Sequence, residues 1–479
     1  MKMKFIPFII LIVYIPVFSY AGGQSESAAS NRGRYLTGLG YIYQPEEIHI
    51  DSLISKVDYD YPLPEKGDFN ISTAADIRNS NAYIQIGIKG KKESFTNLPP
   101  MNISFVIDIS GSMSGADKLS WVKDSFYIFI NNVRSQDFVS VVIFDDRAEL
   151  LIAPTQIRND SDRTRFKRAV DTLQPRGGTD IFKGMNLGYA QVEKNYRPDY
   201  SNRVLLLTDG MHNGTGTKDD IISVVKRYNE KGINISTIAL GASADINLVV
   251  DMATNGGGSS RFISDHDKME QTFGSELDRL VVPSARMLNI IVTLSDNLIS
   301  PETWGYKNWI EENRIHYSLD TLHNGDYETF FIVSQLNGPV NAGKIASITV
   351  NYQDLSGISH QEGPFDIIIT GDSVENPEKI IDRRIMEAEG FVTYGKELIN
   401  IGNLSNGIVK LQQEYYSTQN PENKDQLIGE LHTGIDAIRS LSNYLSEINS
   451  NLHGDKYSDE LTTLQNYEAS FTSAYQNIQ

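Results

Sequence analysis

The sequence contains no cysteine, which excludes disulfide bonds, thiolate metal ligands, a cysteine nucleophile and a lipidated N-terminal cysteine. Basic residues are also scarce: 43 lysines and arginines stand against 61 aspartates and glutamates, and the formal net charge is −18. This balance repels the phosphate backbone of nucleic acids, so we expect no nucleic-acid partner. Beyond the N-terminal segment, no apolar run approaches the length needed to cross a membrane.

The N-terminal segment has the pattern of an export signal. Lys2 and Lys4 precede an apolar run from Phe5 to Phe18, and Ser19-Tyr20-Ala21 places small residues where signal peptidase requires them. The run is short for a membrane span. We therefore expect residues 1–21 to be removed, which leaves an exported protein without a membrane span, in the periplasm, on the cell surface or secreted. An uncleaved anchor is the alternative.

A chain of 479 residues exceeds what one hydrophobic core usually holds, so several domains are expected. Composition and hydrophobic periodicity change along the chain and divide it into segments. The predicted segments after the signal are a disordered spacer rich in Gly, Ser and Ala (22–44), an N-terminal extension (45–101), an α/β domain (102–283), a β-sandwich domain (284–371) and a helical domain (377–479).

The predicted α/β domain alternates strands with helices. Three nearly continuous apolar runs are typical of parallel strands covered on both faces, namely Val139–Phe144, Val204–Leu207 and Ile233–Leu240. Residues 119–133 and 166–173 carry apolar side chains at helical spacing between them. The pattern predicts a doubly wound, Rossmann-like sheet, whose ligand crevice lies at the carboxyl ends of the strands where the strand order reverses.

The flanking segments carry strand and helix patterns of their own. Ala82–Lys91 alternates apolar with polar residues, as in a strand with one dry face, and it needs a sheet to pair with. We predict that it joins the short alternating strands after Ser284, which makes the α/β domain an insertion into a β-sandwich. Beyond residue 377 the apolar spacing is helical and predicts a small antiparallel bundle, packed against the sandwich or serving as a docking module, with breaks at Gly402, Asn420-Pro421 and Gly454.

The stretch that carries the chemistry is Phe105-Val106-Ile107-Asp108-Ile109-Ser110-Gly111-Ser112, an apolar run that ends at a carboxylate and continues with two alternate hydroxyls. If residues 105–107 form a buried strand, Asp108, Ser110 and Ser112 lie on the turn just past its carboxyl end. A carboxylate, two hydroxyls and water suit a small hard cation such as Mg²⁺. The triplet alone is a weak signal, because Asp, Ser and Gly are ordinary turn residues.

Two later segments complete a larger pattern. Gly177-Gly178-Thr179-Asp180 opens a predicted helix, and an apolar strand runs into Thr208-Asp209-Gly210. In this order and spacing, the three segments resemble the metal-ion-dependent adhesion site of von Willebrand factor type A domains, over about residues 102–282. A short acidic amphipathic segment followed by Asp58-Tyr59-Asp60-Tyr61-Pro62 resembles the N-terminal extension of the bacterial YfbK-like family.

The resemblance implies a role for each candidate ligand. Asp108 is the anionic anchor, Ser110 and Ser112 are hydroxyl ligands, Thr179 is a ligand that engages or withdraws as its loop moves, and Asp209 acts through water. The implied ion is Mg²⁺, or Mn²⁺ or Ca²⁺, and a carboxylate from an Asp or Glu of a protein partner completes its coordination. From the residues alone, Thr179 also fits a helix cap and Asp209 a strand-end turn.

The expected function is therefore that of a non-enzymatic binding or adhesion protein, with no particular oligomeric state predicted. A phosphotransfer enzyme is one alternative, since Asp108 resembles the phosphoryl-accepting aspartate of haloacid-dehalogenase phosphatases, but the second aspartate of that pattern is Ser110 here. Ser120-Trp121-Val122-Lys123 matches the Ser-x-x-Lys motif, yet it lies in a predicted amphipathic helix. A structural envelope scaffold, whose metal site only stabilises the fold, is the other alternative.

Overall fold

The computed structural model describes residues 42–93, 99–241, 244–263, 283–375 and 382–478, apart from residues 46, 47, 49, 56, 58, 306, 340, 355, 356 and 453. The predicted export signal and nearly all of the predicted spacer lie outside the described residues. In the part of the chain that is described, no helix combines the length and apolar character needed to cross a membrane.

The strands and helices are numbered along the chain. The strands are β1 (Phe69–Arg78), β2 (Asn81–Gly90), β3 (Met101–Asp108), β4 (Phe138–Phe144), β5 (Ala148–Gln156), β6 (Ser201–Thr208), β7 (Ile233–Leu240), β8 (Ser260–Ile263), β9 (Pro283–Leu294), β10 (Leu298–Trp304), β11 (Lys307–Glu311), β12 (Arg314–His323), β13 (Tyr327–Leu336), β14 (Gly343–Gln353) and β15 (Ser359–Ile369). The helices are α1 (Ile50–Ser55), α2 (Lys118–Asn132), α3 (Asp160–Asp171), α4 (Ile181–Lys194), α5 (Lys218–Glu230), α6 (Ile246–Asn255), α7 (Gly371–Glu375), α8 (Arg383–Thr418), α9 (Pro421–Leu452) and α10 (Ser458–Gln476).

The α/β domain is built on one sheet with the strand order β5-β4-β3-β6-β7-β8. Its strands are parallel except for β5, which pairs antiparallel with β4. The chain moves outward from β3 through β4 to β5, then returns to the other side of β3 at β6. The strand order therefore reverses between β3 and β6, and the doubly wound arrangement predicted from the sequence is confirmed.

Both faces of this sheet are covered, which explains the continuous apolar runs in its strands. Phe105 packs on one face against Phe126 and Phe129 of α2, with ring centroids 5.2 Å and 4.5 Å away. The next residue, Val106, points to the opposite face, where it joins a cluster that includes Met185 of α4. Every residue of β3, β6 and β7 is thus buried, whichever way its side chain points.

The β-sandwich consists of two antiparallel sheets with the orders β1-β2-β13-β10 and β11-β12-β9-β14-β15. The strand predicted at 82–91 is β2, and it pairs with β13, where Ile86 lies opposite Phe330. The prediction of a single dry face is wrong. Gln85, on the other face, is only 1% exposed and donates a hydrogen bond of 3.1 Å to the carbonyl of Arg384, because α8 covers that face.

The chain leaves the sandwich for the α/β domain and returns to the sandwich at one place. β2 ends at Gly90 and β9 begins at Pro283, and the Ser284 hydroxyl donates a 3.2 Å hydrogen bond to the carbonyl of Lys91. The Gly325 N–H, from the turn between β12 and β13, donates to the same carbonyl at 2.7 Å. The two connections to the α/β domain are therefore neighbours, as an inserted domain requires.

Replacing residues 94–282 by a short Gly/Ser linker is expected to leave a folded sandwich with its helices, because the linker joins two points already in contact. Circular dichroism and a cooperative thermal transition would check this. The largest new exposure would be at His323, which is buried beside Arg203 of the α/β domain with a nitrogen–nitrogen distance of 3.5 Å. A chain that aggregates even with His323→Ser would contradict the insertion architecture.

The helices α8, α9 and α10 form an antiparallel bundle that packs on the sandwich. Arg384 donates to the carbonyl of Thr73 in β1 at 3.2 Å, and the Asp382 N–H donates to Asp76 at 3.1 Å. The breaks predicted at Asn420-Pro421 and Gly454 are present. The break predicted at Gly402 is wrong: α8 runs through it, and its missing side chain leaves room for the backbone of Tyr43, whose carbonyl oxygen would be 2.8 Å from a Cβ there.

The described residues between 42 and 61, which we call the N-terminal arm, lie between the sandwich and the bundle. The Tyr43 N–H donates to the Tyr467 hydroxyl of α10 at 2.6 Å. Tyr59 and Tyr61 are buried, and the Tyr61 hydroxyl lies 3.2 Å from the Thr329 hydroxyl of β13. The arm thus belongs to the core shared by the sandwich and the bundle.

Candidate metal site

Three loops meet at the carboxyl ends of β3 and β6. Asp108 is the last residue of β3, and Asp209 directly follows β6. The loop before α4, which carries Thr179, is joined to the first loop by a 3.1 Å hydrogen bond from the Gly111 N–H to the Gly177 carbonyl. The structure therefore brings the predicted residues to one edge of the sheet, at the reversal in strand order.

Each carboxylate of this cluster is held by groups of the same chain. Asp108 accepts hydrogen bonds from the Ser110 N–H at 2.7 Å and from the Thr208 hydroxyl at 2.5 Å. Asp209 accepts from the Ser112 hydroxyl at 2.7 Å and from the Lys118 ammonium at 2.6 Å. A carboxylate has about four lone-pair positions, so Asp108 can keep both hydrogen bonds and still coordinate a cation.

The two serine hydroxyls test whether an ion fits. Their oxygens are 3.0 Å apart. Adjacent ligands of an octahedral ion are separated by √2 times the bond length, which is about 3.0 Å for Mg²⁺ at about 2.1 Å and about 3.4 Å for Ca²⁺ at about 2.4 Å. The two hydroxyls are within hydrogen-bond distance of each other, and the same spacing is compatible with adjacent ligands of a small octahedral cation.

Thr179 reaches the cluster at Gly210. A Cβ built on Gly210 would lie 2.8 Å from the Thr179 hydroxyl, so only glycine allows this approach. The Thr179 backbone is fixed by Asn213, whose side chain accepts from the Thr179 N–H at 2.9 Å and whose N–H donates to the Thr179 carbonyl at 3.1 Å. The helix cap considered as an alternative for Thr179 is supplied by Asp180, which accepts from the Lys183 N–H.

Four of the five candidate ligands are buried and one is exposed. Asp108 and Asp209 are fully buried, Ser110 is 1% exposed and Thr179 is 4% exposed, whereas Ser112 faces solvent. The pKa of Asp108 is raised to about 6. Burial is the main cause, the hydrogen bonds from Thr208 and Ser110 act in the opposite direction, and the charge of Asp209 adds to the rise. A bound cation would favour the ionised carboxylate.

Three contributors were missed by the sequence reasoning, namely Thr208, Lys118 and Asn213. Thr208 was visible only as the residue before Asp209. Nothing in the spacing of Lys118 from Ser112 shows that the 3-10 turn between them brings the Lys118 ammonium back to Asp209.

The Ser-x-x-Lys match lies outside the site. Its Lys123 donates to the carbonyls of Asp171 and Leu173 at the end of α3. Among the described residues, no group of three or more His, Cys, Asp or Glu side chains offers a rival ion site.

The sheet order and the three converging loops define a class of protein. Residues 102–275 match the family model of the von Willebrand factor type A domain, so the chain contains such a domain. The resemblance of this part of the chain to the von Willebrand factor type A domain, inferred from the sequence, is thereby confirmed.

Relatives of known sequence extend the match beyond this domain. The chain is 23% identical to the uncharacterized protein YfbK of Escherichia coli over 326 residues, 65% of this chain and 56% of that protein. It is 27% identical to the uncharacterized protein sll0103 of Synechocystis over 213 residues, 44% of this chain and 49% of that protein. The chain thus spans about half the length of these relatives.

A solved structure agrees in fold. The von Willebrand factor type A protein from Catenulispora acidiphila aligns over 82% of this chain and 91% of its own, with a TM-score of 0.50 and 14% sequence identity. The alignment is much longer than the α/β domain alone, so the similarity in fold includes the flanking domains.

Proposed function

We propose that the protein is an exported, non-enzymatic binding protein, which captures a protein partner through a divalent cation completed by a partner Asp or Glu carboxylate. The von Willebrand factor type A domain supports a role in protein interaction in general. Export rests on the pattern of residues 1–21, and the cation and the carboxylate rest on the cluster at the carboxyl edge of the sheet.

One observation carries the proposal: among the five candidate ligands only Ser112 is exposed. The Ser112 hydroxyl is exposed, while its neighbour Ser110, 3.0 Å away, and the carboxylates beneath are buried. An ion held by these oxygens would meet the protein on its inner side and solvent on its outer side. That outer side is where a partner carboxylate could bind.

The residues take distinct roles in this proposal. Asp108, Ser110 and Ser112 would hold the cation directly, and Thr208 orients Asp108 by its hydrogen bond of 2.5 Å. Asp209 would act one step away, because its charge is already paired with the Lys118 ammonium, whereas the two hydrogen-bond donors to Asp108 are neutral. When bound, the cation supplies an electrophilic centre that accepts one more carboxylate oxygen.

Thr179→Ala separates partner capture from ion binding. The remaining ligands should keep Mg²⁺ affinity within a few-fold, while capture should fall by about tenfold or more, the usual loss when a group supporting a metal site is removed. The measurements are Mg²⁺ calorimetry and a pull-down from envelope extract by the chain starting at Gly22. Thr172→Ala removes an exposed hydroxyl that caps α3 at the Ala169 carbonyl, and it should change neither.

The pull-down has two further arms. Capture should disappear in EDTA, and it should disappear when the carboxylates of the extract are blocked with carbodiimide and glycinamide. Capture that survives either treatment would contradict the proposal. A rise in thermal stability with Mg²⁺ but no capture would favour the structural scaffold, and Asp108-dependent hydrolysis of a phosphate ester would favour an enzyme.

A further inference from the structure

Lys118 is the cationic side chain that reaches into the candidate metal site. Its ammonium lies 2.6 Å from Asp209, and its side chain is only 12% exposed. The opposite oxygen of the same carboxylate accepts the Ser112 hydroxyl at 2.7 Å. One carboxylate therefore connects the lysine to a proposed ligand of the ion through two short hydrogen bonds.

The surroundings fix the lysine in this position. Lys118 begins α2 directly after Asp117, whose φ of 54° turns the chain out of the 3-10 helix. Its stem passes Gly241, at the end of β7, where φ is +72° and a Cβ would lie 3.0 Å from the Lys118 Cε. A glycine and a left-handed turn on two separate loops thus make room for the ammonium beside Asp209.

The charges of the cluster show what the lysine changes. A divalent cation brings two positive charges, and Asp108 and Asp209 bring two negative ones, so these groups alone sum to zero. Lys118 makes the sum positive by one. It also holds the second oxygen of Asp209, which keeps this buried carboxylate from turning to the ion.

We infer that Lys118 is a positioning residue that acts through Asp209, weakening the hold on the cation while strengthening the attraction of the bound cation for a carboxylate. The inference rests on the proposed function and adds a trade-off to it. Two unit charges within about 10 Å in protein surroundings change a binding constant by about tenfold or more. Removing the lysine should therefore change the two affinities in opposite directions.

The test uses the full chain from Gly22 with Lys118→Met, Lys118→Arg and the control Lys123→Met, on the same helix. Calorimetry measures Mg²⁺ and Mn²⁺ binding, and the relaxation of acetate methyl protons by Mn²⁺-loaded protein measures carboxylate binding. In Lys118→Met, ion affinity should rise about tenfold and acetate affinity should fall about tenfold. Lys118→Arg keeps the charge and should resemble the unmodified protein, and Lys123→Met should change neither affinity.

A merely structural role predicts a different result, in which Lys118→Met lowers both affinities together. That outcome, or two unchanged affinities, would overturn the inference. Thermal unfolding in EDTA identifies a variant that fails to fold, and Lys118→Gln then replaces it. If the unmodified protein binds Mn²⁺ but neither acetate nor any partner, the proposed function fails, whereas the rise in ion affinity still tests the lysine. If Lys118→Met captures a partner in a metal-dependent way as well as the unmodified protein does, the inference about Lys118 is wrong and the proposed function stands.

Discussion

Replacing Asp108 by alanine is expected to abolish Mg²⁺ binding. We expect Asp108 to contact the ion directly, because its hydrogen-bond donors are neutral, whereas the charge of Asp209 is already paired with Lys118. Two hydroxyls and water cannot compete with the hydration shell of Mg²⁺. Calorimetry should show no heat of binding up to millimolar Mg²⁺, and Mg²⁺ should no longer raise the unfolding temperature. Unchanged affinity would show that the ion site lies elsewhere.

The carboxyl group of Asp108 should also make the stability of the protein depend on pH when no cation is bound. Because burial raises the pKa of Asp108 to about 6 from 3.8, the folded state favours the protonated carboxyl. The ion-free protein should therefore lose stability as the pH rises through about 6, and a shift of about two pKa units corresponds to about 3 kcal/mol at most.

Asp108→Asn removes this pH dependence, and its amide oxygen can still accept from the Ser110 N–H while its amide nitrogen donates to the Thr208 hydroxyl, which can rotate to accept. In EDTA at pH 7 it should be as stable as the unmodified protein or more stable, and Asp108→Ala should gain less because it leaves the Ser110 N–H and the Thr208 hydroxyl unpaired. Asp146→Ala, which removes an exposed charge close to Gly177 and Gly178, is the control and should retain Mg²⁺ binding.

Gly87→Ala is expected to destabilise the sandwich by about 3 kcal/mol or more, because overpacking of a filled core commonly costs about 1–3 kcal/mol and the displaced group here is a whole ring. A Cβ on Gly87 of β2 would lie 2.1 Å from the ring of Tyr61 in the N-terminal arm. Tyr61 is only 5% exposed and cannot move without breaking its contact with Thr329. Urea unfolding of the full chain measures the loss.

A double-mutant cycle identifies the cause. In a Tyr61→Ala background the space is empty, so Gly87→Ala should cost close to nothing and the coupling energy should reach about 2–3 kcal/mol. Gly429→Ala, in α9 with no neighbour within 4 Å, makes the same chemical change in open space and should be neutral or slightly stabilising. Equal costs of Gly87→Ala in both backgrounds would show that the arm does not pack on β2.

Two of the three metal-site loops were predictable from the sequence because each follows a buried strand, and the third, which carries Thr179, was indicated by Gly177-Gly178 before a predicted helix. Phe105, Val204 and their neighbours are apolar on both faces, so the strands end where Asp108 and Asp209 interrupt the run. Parallel strands then bring their carboxyl ends to one edge. Lys118 escaped prediction since its role depends on a 3-10 turn and on the glycine at 241, neither of which has a periodic signal.

Three strands of the sandwich, β1, β10 and β11, lack the alternating pattern by which the sequence indicates a strand. β1 is rich in Asn, Ser, Thr and Ala, and it is defined by pairing with β2 through the two-residue turn Asn79-Ser80, both at positive φ. Asn and Ser without Gly are a weak hairpin signal. β10 and β11 are short edge-region strands, with exposed residues such as Ile299 and Trp309 that give no clear alternation.

The two adjacent connections of the α/β domain also determine how it would carry mechanical load. Its attachments lie at Lys91 and Ser284, whereas the candidate metal site is at the far end of β3, whose eight residues extend about 26 Å at about 3.3 Å per residue. A partner pulled away from that edge would load β3 along its axis. The ladders to β4 and β6 would then resist together in shear, so we expect a bound partner to detach before this sheet unravels.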